Sequence, residues 1–116
     1  MLDRTPEELA RSYVRLHNTG VRTGDFTPML ELFDPNIVFT FEGIRYGPIL
    51  GINQTKKAFS EHPPTDTMKI LEITEDGSEI SIKYYWAGNP HATGGTLKVL
   101  TERGAIVKLS VIAHNE

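Results

Sequence analysis

The segment TMKILEITEDGSEISIKYYW, residues 67–86, predicts two antiparallel strands joined by a tight turn. Asp76-Gly77 supplies the turn, because this dipeptide readily adopts the backbone that a two-residue hairpin needs. Along Glu79–Trp86, apolar and polar residues alternate, which is typical of a strand with one buried face. The residues of that apolar face are Ile80, Ile82, Tyr84 and Trp86. We therefore expect a sheet that turns these four side chains towards the core.

Further strands are predicted on both sides of this hairpin. Downstream, β-branched runs occupy about Thr93–Thr101 and Ala105–Ile112. Upstream, Ile37–Phe41 is a β-branched and aromatic run, and Ile44–Tyr46 follows it as a short hairpin partner. Gly94-Gly95 predicts a bulge or bend, since glycine inside a strand often marks one.

Three helices are predicted in the first sixty residues. The first has Thr5 as N-cap, Pro6 at the first helical position and Glu8 three residues after the cap, a capping box. We expect it to run to about Asn18 and to stop near Gly20. Its apolar arc, at about 100° per residue, contains Leu9, Ala10, Tyr13, Val14, Leu16 and His17.

The other two helices are shorter. One is capped by Asp25 or Thr27 and ends at Asp34-Pro35, because the residue before proline leaves the helical region. The residues that it should turn inward are Phe26, Met29, Leu30 and Phe33. The last helix spans Gly51 to about Glu61 and is stopped by His62-Pro63-Pro64.

Helices first and strands afterwards predict an α+β protein rather than alternating βαβ units. With 116 residues and no linker or repeat, we expect one domain over residues 1–116. A curved, mostly antiparallel sheet wrapped around helices forms a cone, and the open end of such a cone is a natural pocket.

Composition excludes several classes of protein. A net charge of −3 with scattered Lys and Arg argues against a nucleic-acid partner. There is no run of about 20 apolar residues that would span a membrane. The start, MLDRTPEELA, lacks the basic and apolar segments of a signal peptide, so we expect a soluble, cytoplasmic protein. The sequence has no cysteine and no close cluster of histidines and carboxylates, so we do not expect a metal site. It also lacks a glycine-rich phosphate loop, so we do not expect a cofactor.

Three local patterns carry a family resemblance. They are YVRLHN at residues 13–18 followed by Gly24-Asp25, LELFDPNIVF at residues 30–39, and GPILGI at residues 47–52. Together with the element order they make nearly the whole chain resemble the cystatin-like α+β cone of nuclear transport factor 2, SnoaL-like polyketide cyclases and ketosteroid isomerases. This fold hosts many activities and many proteins that are not enzymes.

The resemblance to the isomerases implies some parts of their site and not others. Tyr13 falls where the isomerase tyrosine would lie. The position of the catalytic base falls on Phe41, with Glu42 one residue later, and only a bulge would turn Glu42 into the pocket. The protonated acid of that mechanism would fall near Thr96, in a stretch without acidic residues. We therefore do not expect steroid isomerisation by that mechanism.

We predict that the cone binds a small, largely apolar molecule without a cofactor. Phe39, Phe41, Tyr84 and Trp86 would line the pocket, or simply fill the core. If the protein is an isomerase or cyclase acting by proton transfer, Tyr13 would be the oxyanion donor and His17 or Glu42 the base.

Each of these residues also has a structural interpretation. Tyr13 would then be a core tyrosine, His17 an amphipathic residue at a helix end, and Glu42 a solvated turn carboxylate. The alternative function is a non-catalytic binding or dimerisation module. Tyr85 alternates to the opposite face of its strand, so we also predict a homodimer with Tyr85 at its interface.

Overall fold

The protein is an α+β structure, as predicted from the order of its elements. A computed structural model describes residues 5–43, 45–88 and 94–113. In chain order the elements are α1 Pro6–Thr23, α2 Thr27–Leu30, β1 Phe33–Glu42, β2 Ile49–Leu50, α3 Gly51–Glu61, β3 Met68–Asp76, β4 Glu79–Trp86, β5 Gly95–Glu102 and β6 Ala105–Ala113.

The six strands form one curved, unclosed sheet in the order β2-β1-β6-β5-β4-β3. All neighbouring pairs are antiparallel except β1 and β6, which run parallel. The register shifts at Leu71 of β3, which is skipped between the pairs Ile70–Tyr84 and Glu72–Lys83. It shifts again at Val107 of β6, which is skipped between the pairs Leu100–Lys108 and Thr101–Ile106. Bulges of this kind increase the local twist of a strand, and they lie in two of the long strands that form the concave wall.

Helix α1 is longer than predicted, and the error has a physical cause. The capping box forms as expected, with the Glu8 amide donating to Thr5 Oγ1 at 3.1 Å. However, the helix continues through Gly20 to Thr23 and ends at Gly24, whose left-handed φ of 85° is easily adopted by glycine. Gly20 is buried against the ring of Phe26, where a Cβ atom would overlap the ring. The first glycine is therefore a contact point and the second is the helix cap.

The concave face of the sheet carries the core. The alternation predicted for β4 is observed, since Ile80 and Ile82 are fully buried and Tyr84 is almost so. Leu97 and Val99 of β5 continue this apolar layer, because they lie opposite Ile82 and Ile80 across the strand pair. Leu9, Ala10 and Tyr13 of α1 belong to the same buried cluster. The long helix therefore packs on the inner face of the curved sheet.

Two predictions about the β1 region were wrong. The partner of β1 is Ile49–Leu50 rather than Ile44–Tyr46 (Ile44 lies outside the described residues). The second helix stops at Leu30, and Phe33 already belongs to β1, where it pairs with Ile106. The second error arises because Phe33 pairs with a residue that is distant in sequence, and such pairing overrides local preference.

Gly94 and Gly95 are needed for close approach. The pairing of Tyr84 with Gly95 follows the regular register of β4 and β5, so no bulge occurs at that pair. A Cβ atom on Gly95 would lie 2.5 Å from the Ile112 carbonyl oxygen and 2.8 Å from the Tyr84 hydroxyl oxygen. The missing side chain therefore makes room for the phenol of Tyr84.

Within the described ranges, no helix combines the length and the apolar content that crossing a membrane would require.

We predict that Gly20→Ala destabilises the protein, although alanine normally stabilises a helix interior relative to glycine by up to about 1 kcal/mol. The added methyl group overlaps the Phe26 ring, and overpacking of this kind costs about 1–3 kcal/mol. Urea unfolding followed by circular dichroism measures the change. Ser12→Ala is the control, because Ser12 lies on the partly exposed side of α1 and its substitution should change stability little. A Gly20→Ala protein as stable as the wild type would contradict the assigned contact.

Candidate functional site

The helices and the concave face of the sheet enclose a cavity of about 270 Å³. Both long helices, all six strands and two loops contribute to its wall. The lining residues are Tyr13, His17, Phe39, Phe41, Tyr46, Ile49, Ala58, Phe59, His62, Pro64, Met68, Tyr84, Trp86, Leu97 and Val111. Most of the wall is therefore hydrocarbon and aromatic, with a few hydroxyl and imidazole groups.

Six of the seven site residues proposed from the sequence lie around this cavity. Tyr13 and His17 reach it from one face of α1, one helical turn apart. Phe39 and Phe41 reach it from β1, and Tyr84 and Trp86 from β4, because residues two apart in a strand face the same side. Their convergence follows from helical and strand periodicity together.

Glu42 is the exception, and its proposed position in the pocket was wrong. The side chain is exposed and does not line the cavity, whereas its neighbour Phe41 does. β1 and β6 keep a regular register from Val38 to Glu42, so no bulge restores Glu42 to the inner face. Alternation along the strand therefore directs this carboxylate away from the cavity.

Thr96 marks where the protonated acid of the isomerase mechanism would fall, and it does not line the cavity either. The adjacent Leu97 does, because it occupies the inner face of β5. Among the described lining residues there is no aspartate, glutamate, lysine or arginine. The site consequently differs from one built on two carboxylic acids and a tyrosine.

Aromatic rings form two walls of the cavity. Phe39 and Phe41 stack with ring centroids 5.2 Å apart, and Tyr46 meets Phe41 edge-on at 5.1 Å. On the other side Tyr84 and Trp86 form an edge-to-face pair at 5.2 Å. These distances lie within the range that favours aromatic packing. The rings of each wall therefore support one another.

The mouth of the cavity is formed by residues that sequence reasoning missed. Tyr46 is 44% exposed, and His62 is exposed at the end of α3, yet both line the cavity. Pro64, two residues later, also lines it. The available signal was the His-Pro-Pro sequence, because prolines that stop a helix also redirect the chain.

Tyr13 is the innermost of the polar groups from α1. Only 3% of the residue is exposed, and its ring lies 5.9 Å from that of Phe33 and 6.1 Å from that of His17. Burial raises the pKa of the Tyr13 phenol, and the nearby Tyr84 phenol raises it further. Tyr13 therefore keeps its proton and can only act as a neutral hydroxyl.

Tyr84 is a second neutral hydroxyl in the same cavity. Burial raises the pKa of Tyr84 for the same reason, since a phenolate would lose its hydration there. The two phenols come from different elements, α1 and β4, and each carries its own hydrogen-bond donor.

His17 supplies the cavity with a neutral imidazole. The residue is only 4% exposed, and its ring packs among Tyr13, Phe26 and Trp86. Desolvation lowers the pKa of His17 below its ordinary value, while the hydrogen bond to the Asn18 side chain opposes part of that effect. The net lowering favours the uncharged form of the ring at neutral pH.

No group of three or more His, Cys, Asp or Glu that could hold a metal ion occurs in residues 5–43, 45–88 and 94–113. The polar side chains among the described lining residues are hydroxyl and imidazole groups.

Solved structures of other proteins have a similar architecture. An NTF2-like protein of unknown function from Cytophaga hutchinsonii superposes with a TM-score of 0.77 at 16% identity, over 97% of this chain and 93% of the other. A protein from Kribbella flavida named as a ketosteroid isomerase gives 0.74 at 13% identity, over 96% and 78%. The chain has the NTF2-like fold.

A third similar structure, named as a polyketide cyclase and from Sinorhizobium meliloti, gives a TM-score of 0.62 at 19% identity, over 93% of this chain and 99% of the other. No protein-family profile and no curated protein matches the chain. At these identities the likeness establishes the NTF2-like fold alone, because one fold hosts many functions.

The predicted homodimer concerns the opposite face of the sheet. Tyr85 is half-buried, does not line the cavity and pairs across the strands with Lys69. It therefore lies on the side of the sheet that the sequence assigned to it. That this face forms a dimer stays a prediction.

We predict that His17 limits the stability of the protein in mild acid. Because the pKa of His17 is lowered on folding, its contribution is complete above the unfolded value of about 6.5 and is lost as the pH falls through the folded value. His17→Gln should therefore flatten the fall in melting temperature between about pH 7 and pH 5. His62→Gln is the control, because His62 is a histidine whose side chain is exposed rather than buried. An unchanged pH profile in His17→Gln would show that His17 is not held neutral.

Proposed function

We propose that this NTF2-like chain binds a small, largely apolar molecule in the cavity between α1, α3 and the sheet. The observation that carries the proposal is the cavity itself, an aromatic-walled space with its polar groups at a few separate points. Proteins that bind small organic molecules commonly have pockets of this composition, in which apolar area supplies affinity and a few polar groups set orientation.

The size of the cavity supports a ligand of one or two rings. Its volume of about 270 Å³ lies just below the range of about 300–1,000 Å³ that is usual for drug-sized ligands. Four fused rings would require the walls to move apart. Within the proposal, a steroid is therefore a poor candidate and a bicyclic aromatic or ketone is a good one.

The electrostatics of the wall favour an uncharged ligand. None of the described lining residues carries a formal charge when the histidines are neutral. An ionised ligand would lose its hydration without gaining an opposite charge, which is costly. A neutral molecule with one carbonyl or hydroxyl group can instead accept a hydrogen bond from Tyr13 or Tyr84.

We predict that β-tetralone, a neutral two-ring ketone, raises the melting temperature of the protein. Binding to the folded state alone at about 100 times Kd adds about 2.7 kcal/mol, on the order of 10 °C for a chain of this length. Ala58→Phe should remove the shift, because the Ala58 side chain lines the cavity and a phenyl ring there occupies it. Differential scanning fluorimetry measures both effects.

Ser60→Phe is the matched control for that experiment, since it adds the same ring at an exposed position of α3 outside the cavity. It should retain the shift of the wild type. If β-tetralone and related bicyclic ketones leave the wild type unshifted, or if Ala58→Phe and Ser60→Phe respond alike, the cavity is not the binding site.

A second candidate function is proton transfer next to a carbonyl group. It is favoured by a neutral imidazole and a neutral phenol that line one cavity from the same helix. His17 would take a proton from the carbon beside the carbonyl, and the electron pair of that C–H bond would move to the carbonyl oxygen. Tyr13 would donate a hydrogen bond to the resulting enolate, and His17 would return the proton.

We predict that, if this second function holds, the protein accelerates deuterium exchange at the α-carbons of β-tetralone in deuterium oxide. His17→Gln should slow the exchange by about 100-fold or more, since a positioned base contributes at least that much. Tyr13→Phe should slow it by about 10-fold or more. Proton NMR follows the loss of the α-proton signal.

Glu42→Gln is the control for the exchange experiment and should exchange at the wild-type rate, because Glu42 lies outside the cavity. Equal rates in the presence and absence of wild-type protein would reject proton transfer. Binding of β-tetralone without exchange would leave the first proposal, a non-catalytic binding module.

A further inference from the structure

Asn18 connects helix α1 to the first residue of β3. Its side-chain Nδ2 donates to the Met68 carbonyl oxygen at 2.9 Å, and its Oδ1 accepts from the Met68 amide at 2.8 Å. The side chain of Asn18 thus pairs with the backbone of Met68 as a neighbouring strand would, fifty residues away in sequence. This contact lies directly beside the cavity, because Met68 and the adjacent His17 both line it.

The two bonds to Met68 determine which end of the amide faces His17. If the amide were turned over, Oδ1 would face the Met68 carbonyl oxygen and Nδ2 would face the Met68 N–H, so both bonds would be lost. Oδ1 is therefore the atom that lies 3.1 Å from His17 Nδ1. An amide oxygen has no proton to donate, so Nδ1 of His17 must carry the hydrogen of that bond.

In a neutral imidazole only one nitrogen carries a proton. With the proton on Nδ1, the Nε2 atom of His17 is an unprotonated acceptor. No described residue donates to Nε2, and every fully enclosed side-chain nitrogen or oxygen in the described part of the chain has a partner. Since His17 itself is buried and lines the cavity, Nε2 is open to the cavity.

We infer that Asn18 is a positioning residue that holds His17 as its Nδ1–H tautomer, so that the cavity selects a neutral ligand whose hydroxyl group donates to Nε2. This inference rests on the proposed binding function. The ligand class that satisfies it is a one- or two-ring phenol or a stable enol.

Such a hydroxyl group also matches the two tyrosines. Its O–H can donate a hydrogen bond to His17 Nε2, and its oxygen can at the same time accept a hydrogen bond from a phenol of the wall. A plain hydrocarbon would leave Nε2 desolvated and unpaired, which is unfavourable for a buried acceptor. An ether of the same shape would do the same.

The first test needs no ligand and no substitution. In protein labelled with ¹⁵N and kept at about pH 8, where a histidine is neutral, the ring nitrogens of His17 report which of them is protonated. We expect a protonated Nδ1 and an unprotonated Nε2. A protonated Nε2 would overturn the inference whatever the protein binds.

The second test compares β-naphthol with naphthalene by isothermal titration calorimetry. The two have the same rings, and β-naphthol adds the hydroxyl group. In the wild type we expect β-naphthol to bind at least about 10-fold more tightly, the equivalent of one well-formed hydrogen bond. In Asn18→Ala the ratio of the two affinities should fall several-fold, because His17 is then free to place its proton on Nε2.

The ratio separates positioning from simple structural support, because a loosened cavity would weaken both ligands together. Thr19→Ala is the matched control, since the Thr19 hydroxyl bonds only within α1, to the Arg15 carbonyl oxygen, and the ratio should stay at the wild-type value. If Asn18→Ala does not fold, the labelled wild type and its ligand ratio still decide.

The outcomes distinguish this inference from the proposed function. Equal binding of β-naphthol and naphthalene to the wild type would keep the binding function and overturn the selection of a hydroxyl group. If neither binds while β-tetralone still raises the melting temperature, the ligand class is overturned and the binding function stands. If none of the three binds, both are overturned. A ratio that Asn18→Ala leaves unchanged would overturn the role of Asn18.

Discussion

One helix packed across a strongly curved sheet cannot fill the space beneath it, and this constraint produces the cavity. The side chain of Asn18 fixes where the helix meets the sheet, through two hydrogen bonds to the backbone of Met68. Towards the other end Ile80, Ile82 and Val99 are fully buried in the core. The remaining space lies where the aromatic residues of β1 and β4 face α1, so its shape follows from the seating of the helix.

Burial gives Tyr13, His17 and Tyr84 a common property, because the low-dielectric surroundings penalise the charged form of each. The pKa of Tyr13 and of Tyr84 is raised, and that of His17 is lowered. Two buried hydroxyl donors and one buried imidazole acceptor therefore face the space in neutral form. A site of this kind favours a neutral ligand, and it differs from carboxylate-based isomerase chemistry in its acids as well as its base.

Sequence patterns predicted an element correctly where its bounds depend only on neighbouring residues. The bounds of α3 and β4 match the prediction, because Gly51 and His62-Pro63 delimit the helix and strict alternation defines the strand. The same patterns misplaced the end of α1, since Gly20 is held helical by its contact with Phe26 while Gly24 supplies the cap. They also misplaced the start of β1, because Phe33 pairs with Ile106, which is distant in sequence.

The amino-acid sequence by itself determined the α+β class, the apolar faces of α1 and β4, and six residues of the cavity wall, because helical and strand periodicity are properties of neighbouring residues. Only the tertiary structure decided that Glu42 faces away, that His62 and Tyr46 form the mouth, and that Asn18 orients His17. These features depend on the register of β1 against β6 and on a contact across fifty residues. No local pattern in the sequence encodes this register or this contact, since both form only when the sheet packs against the helix.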